Sequence, residues 1–204
     1  MRRSWLLIGC IAAAIGCYYL AWYTHTTAGF TMNGFDLAEW TSLHPAVRAS
    51  SPALFTSFLL RMPQVMLACA LALAANGLMD ARMRWMVRVW AGLLALRMVP
   101  PTEFFTGTSG DPNYRQMALL TVMGLAAVGG ALALYRAPRR WQTVTLVFIL
   151  IIGIVAGWMG LSRSVELFDN FQIDTKTGPG IIGLTVFSAV GAMLASASEL
   201  KKSG

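Results

Sequence analysis

The stretch that decides the fold is Pro52 to Gly77, PALFTSFLLRMPQVMLACALALAANG. It is apolar almost from end to end, and its strongly polar residues before the closing Asn76-Gly77 are Arg61 and Gln64. About 20 apolar residues at a rise of about 1.5 Å each are enough to cross the hydrocarbon core of a bilayer. The stretch therefore predicts a membrane-spanning helix.

The composition of the whole chain supports a membrane protein. Of its 204 residues, 56% are hydrophobic and 12% are charged, whereas soluble domains carry about 25% charged residues. The formal net charge is +7, but the basic residues lie in short loops between apolar runs. We interpret this charge as a determinant of membrane topology, and we expect no nucleic acid partner.

The apolar runs predict an all-α integral membrane protein with one polytopic domain over residues 1–204. Six transmembrane helices are expected to form three hairpins. The predicted spans cover about residues 5–23, 52–77, 85–99, 117–135, 141–161 and 180–198. The outer loops are then 24–51, 100–116 and 162–179.

The first predicted span is the one with alternatives. Aromatic residues close it, as at a membrane interface, and we expect it to be uncleaved. A cleaved signal peptide, a lipoprotein signal ending at Cys17 and a twin-arginine signal around Arg2-Arg3 are the alternatives. Whether the span is retained is left open at this point.

The distribution of Lys and Arg predicts the orientation. Six spans place both termini on one side, and that side carries ten of the 16 basic residues, against four in the opposite loops. The remaining two are Arg61 and Arg97. Positive residues favour the cytoplasmic side, so we expect both termini to be cytoplasmic and the protein to lie in the plasma (inner) membrane.

Short amphipathic helices are predicted in the outer loops. Asp36 is expected to cap a helix through Leu43 that Pro45 ends. A second helix is predicted from the spacing of Val165, Phe168 and Phe171.

Two arginines within apolar spans are the main candidates for binding. Leu60-Arg61-Met62-Pro63 recurs in altered form as Leu96-Arg97-Met98-Val99-Pro100. A guanidinium deep in a span is costly unless it is paired. The placement predicts an outward-facing cationic site for an anionic ligand or lipid, with Glu103, Asp36 or Glu39 as possible counter-ions. The other candidate residues at this site are Gln64, Trp40 and His44. The alternative is a pair of interface arginines bound to loop carboxylates or lipid phosphates.

Small residues predict close contacts between helices. The candidate positions are Gly153, Gly157, Gly160, Gly130 and Gly191. Small side chains let helix backbones approach each other in lipid. We expect packing within the chain, and contact with a partner subunit is the alternative.

Motifs for catalysis or metal binding are missing from the sequence. It has no G-x-S-x-G, H-E-x-x-H or phosphate loop, and its three cysteines lie within apolar runs. His25 and His44 both fall in the first outer loop, outside the predicted spans where haem ligands would be expected. We therefore expect no enzyme activity, no cofactor and no metal.

Two functions remain open. The first is a non-catalytic integral membrane subunit of a larger complex, with lipids and other membrane subunits as partners. The second is a solute-binding component of a transporter energised by a separate ATPase, with an anionic small molecule as ligand. In length and helix number the chain resembles the substrate-binding subunits of energy-coupling-factor vitamin transporters, and this resemblance implies the second function.

Overall fold

The computed structural model describes residues 2–25, 31–170, 173 and 175–200, with side chains up to 197. The described chain is mostly helical and includes a small sheet. The long helices are α1 (Arg2–Tyr18), α4 (Phe55–Ala75), α5 (Ala81–Leu96), α7 (Pro112–Ala133), α8 (Arg139–Asn170) and α9 (Pro179–Leu200). Shorter helices are α2 (Gly34–Leu43), α3 (Pro45–Arg48) and α6 (Glu103–Thr106). The strands are β1 (Ala21–His25), β2 (Thr31–Asn33) and β3 (Thr175–Thr177).

Helix α4 is the centre of the bundle. Its most apolar 18-residue window is 89% buried inside the chain, against 33–39% for the corresponding windows of α7, α8 and α9. It packs against α8 along most of its length and also contacts α1, α2, α5 and α7. A helix enclosed on all sides needs apolar residues all round, which explains the composition of Pro52 to Gly77.

Four helices of the described chain are long and apolar enough to cross a membrane. They are α4, α7 with its short 3₁₀ extension, α8 and α9, and they coincide with the second, fourth, fifth and sixth predicted spans. Helices α1 and α5 coincide with the first and third predicted spans but have 17 and 16 residues. The structure thus agrees with a membrane protein, while six spans, three hairpins and the side of the termini stay predictions.

The expectation of a helical chain is confirmed in part: the described chain is mostly helical, but a small antiparallel sheet, which was not predicted, includes the segment after α1. Helix α1 ends at Tyr18, and β1 lies between β2 and β3 in the order β2-β1-β3. The β1 side chains of Trp22 and Tyr23 are buried, so they do not form the predicted membrane-interface belt. Aromatic residues favour strands, and here the sheet and the helices cover them.

The short helices predicted in the loops differ in detail from the prediction. Helix α2 exists, but its N-cap is Asn33 rather than Asp36: the Asn33 side chain accepts from the backbone N–H of Asp36 and donates to its carboxylate. Asn33 thus satisfies one of the free backbone N–H groups of the first turn, and the Asp36 carboxylate holds the Asn33 side chain in place. The second predicted helix is not separate, because α8 runs unbroken to Asn170. Phe171 lies outside the described residues.

Four of the five candidate glycines lie at helix contacts. A Cβ atom on Gly153 would lie 3.3 Å from Met66, on Gly157 3.4 Å from Pro63 and on Gly160 2.8 Å from Leu60. These three glycines let α8 approach α4, and Gly191 lies between α1 and α8. Gly130 differs, because no atom of a described residue outside its own helix lies within 4 Å of its Cβ position. Gly130 therefore faces away from the bundle.

Candidate functional site

The Arg61 side chain lies inside the bundle as one half of an ion pair. It is 0% exposed, and its Nη2 atom lies 2.6 Å from Glu39 Oε1 on α2. Its Nη1 atom donates to Gln116 Oε1 on α7 at 2.8 Å. Of the three predicted counter-ions, the structure thus pairs Glu39 with Arg61. We call Arg61, Glu39 and Gln116 the Arg61 cluster.

The Arg61 cluster connects three helices and an entry turn. The Gln116 side chain, which accepts from Arg61, also donates its Nε2 proton to the carbonyl of Leu54 at 3.0 Å. Leu54 precedes α4 and has a left-handed backbone with φ of 58°, a conformation that non-glycine residues seldom adopt. The cluster therefore holds α2, α7 and the start of α4 together.

A second polar contact crosses α4 near Pro63. Proline cannot donate a backbone hydrogen bond and disturbs the preceding helical turn. In that turn the carbonyl of Leu60 accepts from the buried Tyr18 hydroxyl at 3.1 Å. Helix α4 nevertheless continues through Pro63, and Tyr18 fastens α1 to it at this point.

Arg97 has a different environment from Arg61. It caps the end of α5, is exposed, and lies with its guanidinium carbon 5.0 Å from the centre of the Phe35 ring. The Tyr19 hydroxyl lies close enough to Arg97 for a side-chain hydrogen bond. Among the described residues, no carboxylate lies within ion-pair distance of Arg97. The structure therefore does not bring the two arginines into one shared anion site.

Gln64 lies between these two regions and joins three helices. The Tyr19 hydroxyl donates to Gln64 Oε1 at 3.1 Å, and Gln64 Nε2 donates to the carbonyl of Leu94 at 3.0 Å. With a buried amide bonded on both sides, Gln64 connects the end of α1 to α5 across α4.

The other predicted ligand residues lie apart from Arg61. Glu103 is exposed at the start of α6. Trp40 stacks on Phe168 with ring centres 4.4 Å apart, and His44 Nδ1 accepts from the backbone N–H of Ala46 as the N-cap of α3. Trp40 thus joins α2 to α8, and His44 stabilises the start of α3.

Sequence reasoning missed two polar residues that the structure places at helix contacts. Gln116 is the last residue of the predicted loop 100–116, and an amide directly before the apolar run at Met117 is a signal of a polar contact. Asn76 closes the apolar stretch of the second predicted span, and the structure buries it. Its Nδ2 donates to the Ala131 carbonyl, and its Oδ1 accepts from Arg88. It connects α4, α5 and α7 at the end opposite Arg61.

In the loops outside the long helices, Arg48 pairs with Asp111 at 2.9 Å. Burial alone would raise the pKa of the Asp111 carboxyl, but hydrogen bonds from Arg48 and from the backbone N–H groups of Asn113 and Tyr114 outweigh it, and the positive charge of Arg48 adds to them. The pKa is therefore below its ordinary value. Asp111 is also the N-cap of α7, so this pair holds loop 45–51 against the start of that helix.

The described residues contain no group of three or more His, Cys, Asp or Glu side chains arranged to hold a metal ion. Comparison with protein-family models, with curated proteins and with solved structures finds no match.

Proposed function

We propose that this chain is a non-catalytic integral membrane subunit of a larger membrane complex. The observation that carries the proposal is that buried polar side chains on α4 and at its C-terminal end form hydrogen bonds with neighbouring helices. Arg61 binds α2 and α7, Gln64 binds α5, and Asn76 binds α7 and α5. Side chains that bond to neighbouring helices in this way stabilise a scaffold, and this use favours a non-catalytic role.

An outward face of α7 supports the idea of a partner. Gly130 has no neighbour within 4 Å at its Cβ position, and large apolar side chains are exposed along the same helix. Those on the same face as Gly130 are Met123 and Leu119, seven and eleven residues before it. A glycine on an apolar helix face allows close approach of another membrane helix. We assign this face to the partner subunit.

The first test is mild-detergent purification at native expression, with mass spectrometry of everything that co-purifies. A photo-reactive residue at Met123 on α7 is expected to crosslink to a stoichiometric membrane protein. The matched control is the same residue at Ile182 on α9, which is also exposed and is expected to give no such product. A chain that purifies alone and gives no crosslink from either position would contradict the proposal.

The second candidate is the solute-binding component of a transporter with a separate ATPase. The exposed cation Arg97 favours it, whereas the enclosed Arg61 removes half of the predicted anion site. Co-purification of an ATPase together with an anionic small molecule would favour this candidate over the subunit.

A further inference from the structure

A groove opens on the side of the bundle between α1 and α5. It has a volume of about 390 Å³. Its lining is apolar apart from Arg97: Ala12 and Ile15 come from α1, Leu71 from α4, and Trp90, Leu93 and Leu94 from α5. Because α1 and α5 both pack on α4, α4 forms the floor of the groove. We call this the α1–α5 groove.

Arg97 is the cation of the α1–α5 groove. It follows the last residue of α5, and Trp90 lies seven residues earlier, which is about 10 Å along the helix axis. The groove thus has a charged end and an apolar length that runs along the bundle. Long apolar chains with an anionic end have this shape, and phospholipids are such molecules.

The charge at the groove selects among lipids. A guanidinium binds phosphate oxygens through strong charge-assisted hydrogen bonds. Arg97 is the charged residue among those that line the groove, so the ammonium group of a zwitterionic lipid would lie near a positive charge and be repelled by it. A headgroup whose only charge is the phosphate fits this surrounding better.

We propose that the α1–α5 groove binds one anionic phospholipid. One acyl chain lies on Leu71 between α1 and α5, and the phosphate binds the Arg97 guanidinium. The site is independent of the proposed partner face on α7, so either proposal can fail without the other.

The test is native mass spectrometry of the full chain in detergent, with added phosphatidylglycerol or phosphatidylcholine of identical acyl chains. The wild-type protein is expected to bind one phosphatidylglycerol about tenfold more tightly than phosphatidylcholine, because phosphatidylglycerol has a net negative charge beside Arg97 whereas the choline ammonium offsets the phosphate charge. Arg97→Gln is expected to abolish this preference. Ala12→Phe, which fills the groove, is expected to reduce the binding of both lipids.

The control is Arg115→Gln, which removes the same charge from an exposed arginine that bonds to the Ser109 carbonyl and is expected to bind lipid like the wild type. Excess glycerol phosphate is expected not to displace the lipid, because it cannot fill the apolar groove. The proposal is overturned if Arg97→Gln keeps the preference, if Ala12→Phe binds as the wild type does, if Arg115→Gln loses as much as Arg97→Gln, or if glycerol phosphate displaces the lipid. Ala12→Phe keeps the test decisive should Arg97→Gln not fold.

Discussion

The Arg61 cluster and the α1–α5 groove each include an arginine from the same short motif, Leu-Arg-Met followed by a proline. One arginine is buried and the other is exposed. Arg61 lies in the first half of the enclosed helix α4, is 0% exposed and has a carboxylate and an amide as partners. Arg97 lies after the last residue of α5, is exposed and stacks on an aromatic ring. Local sequence therefore does not determine the role of either arginine.

Helix α2 takes part in both environments. Phe35 lies under Arg97, and Glu39 pairs with Arg61. Residues four apart share one face of a helix, so one face of α2 contacts both cations. The difference is that α2 offers a negative charge to the enclosed arginine and an apolar ring to the exposed one. The comparison teaches that the buried cation is neutralised within the chain, whereas the exposed cation has no carboxylate partner among the described residues.

The largest expected effect follows from removing the negative charge beside Arg61. Glu39→Ala leaves an uncompensated guanidinium in the interior, which costs about 3 kcal/mol in the free energy of unfolding. For a chain of this size we expect the thermal midpoint in detergent to fall by roughly 10 °C, measured by loss of the monomer peak on size exclusion.

The matched control is Glu103→Ala, which removes an exposed carboxylate. Its expected change in the free energy of unfolding is within about 0.5 kcal/mol. Equal midpoints for the two variants would show that Arg61 does not depend on Glu39.

The next largest effect on the free energy of unfolding is expected at the contact between α8 and Leu60, the residue before Arg61. A Cβ on Gly160 would lie 2.8 Å from Leu60 Cγ and 3.0 Å from its backbone nitrogen. Since the backbone cannot easily yield, Gly160→Ala is expected to cost about 1–3 kcal/mol.

On the open side of the molecule, Gly130→Ala has no such contact. It is expected to be neutral or to stabilise the helix by up to about 1 kcal/mol. The measurement compares the thermal midpoints of Gly160→Ala and Gly130→Ala. A larger decrease for Gly130→Ala would contradict the assignment of Gly160 to a close helix contact and of Gly130 to an open face.

A smaller effect is expected at the surface pair of Arg48 and Asp111. The pKa of Asp111 is lowered in the folded chain, so its ionised form contributes stability above the unfolded value of about 3.9. That contribution is lost as the pH falls through the folded pKa.

Asp111→Asn keeps an N-cap residue for α7 and removes the charge. We expect a loss below about 1 kcal/mol at pH 7 that shrinks as the pH falls below about 4, since protonation then removes the pair in the wild type as well. Thermal midpoints across this pH range provide the measurement. A difference that grows on acidification would contradict the assignment.

The smallest expected effect on stability is that of Arg97→Gln. Because Arg97 is exposed and has no described carboxylate partner, the change in the free energy of unfolding is expected to stay within about 0.5 kcal/mol. A thermal midpoint as low as that of Glu39→Ala would show that Arg97 is a structural cation like Arg61.

The positions of the long helices could be predicted from the sequence because apolar runs of sufficient length have few other folds. The residues of the Arg61 cluster could be predicted only in part. Arg61 and Glu39 were recognised as a charged residue in a span and a loop carboxylate. The ion pair between them, and the hydrogen bond from Arg61 to Gln116, depend on how α2 and α7 pack on α4. No periodicity in the sequence encodes that packing.

The small sheet was missed for a related reason. The aromatic residues from Tyr18 to Tyr23 suit both a membrane interface and a buried strand. Their burial depends on contacts with helices distant in the sequence, such as that of Tyr23 with Phe168 on α8, and the strand itself pairs with the remote β3, which contributes only Thr175–Thr177. A strand that needs a remote partner leaves little local signal. The extent of α8 was underestimated because Ser162 and Arg163 resemble the beginning of a loop.

The most direct test of the central claim is a double-mutant cycle for Arg61 and Glu39, using Arg61→Met and Glu39→Gln, with unfolding measured in detergent. We expect a coupling energy of about 2 kcal/mol for this pair, and a value within about 0.5 kcal/mol of zero for the parallel cycle of Arg97→Met with Glu39→Gln. A coupling energy near zero for Arg61 and Glu39, or an equally large one for Arg97 and Glu39, would contradict the claim that Glu39 neutralises Arg61 alone.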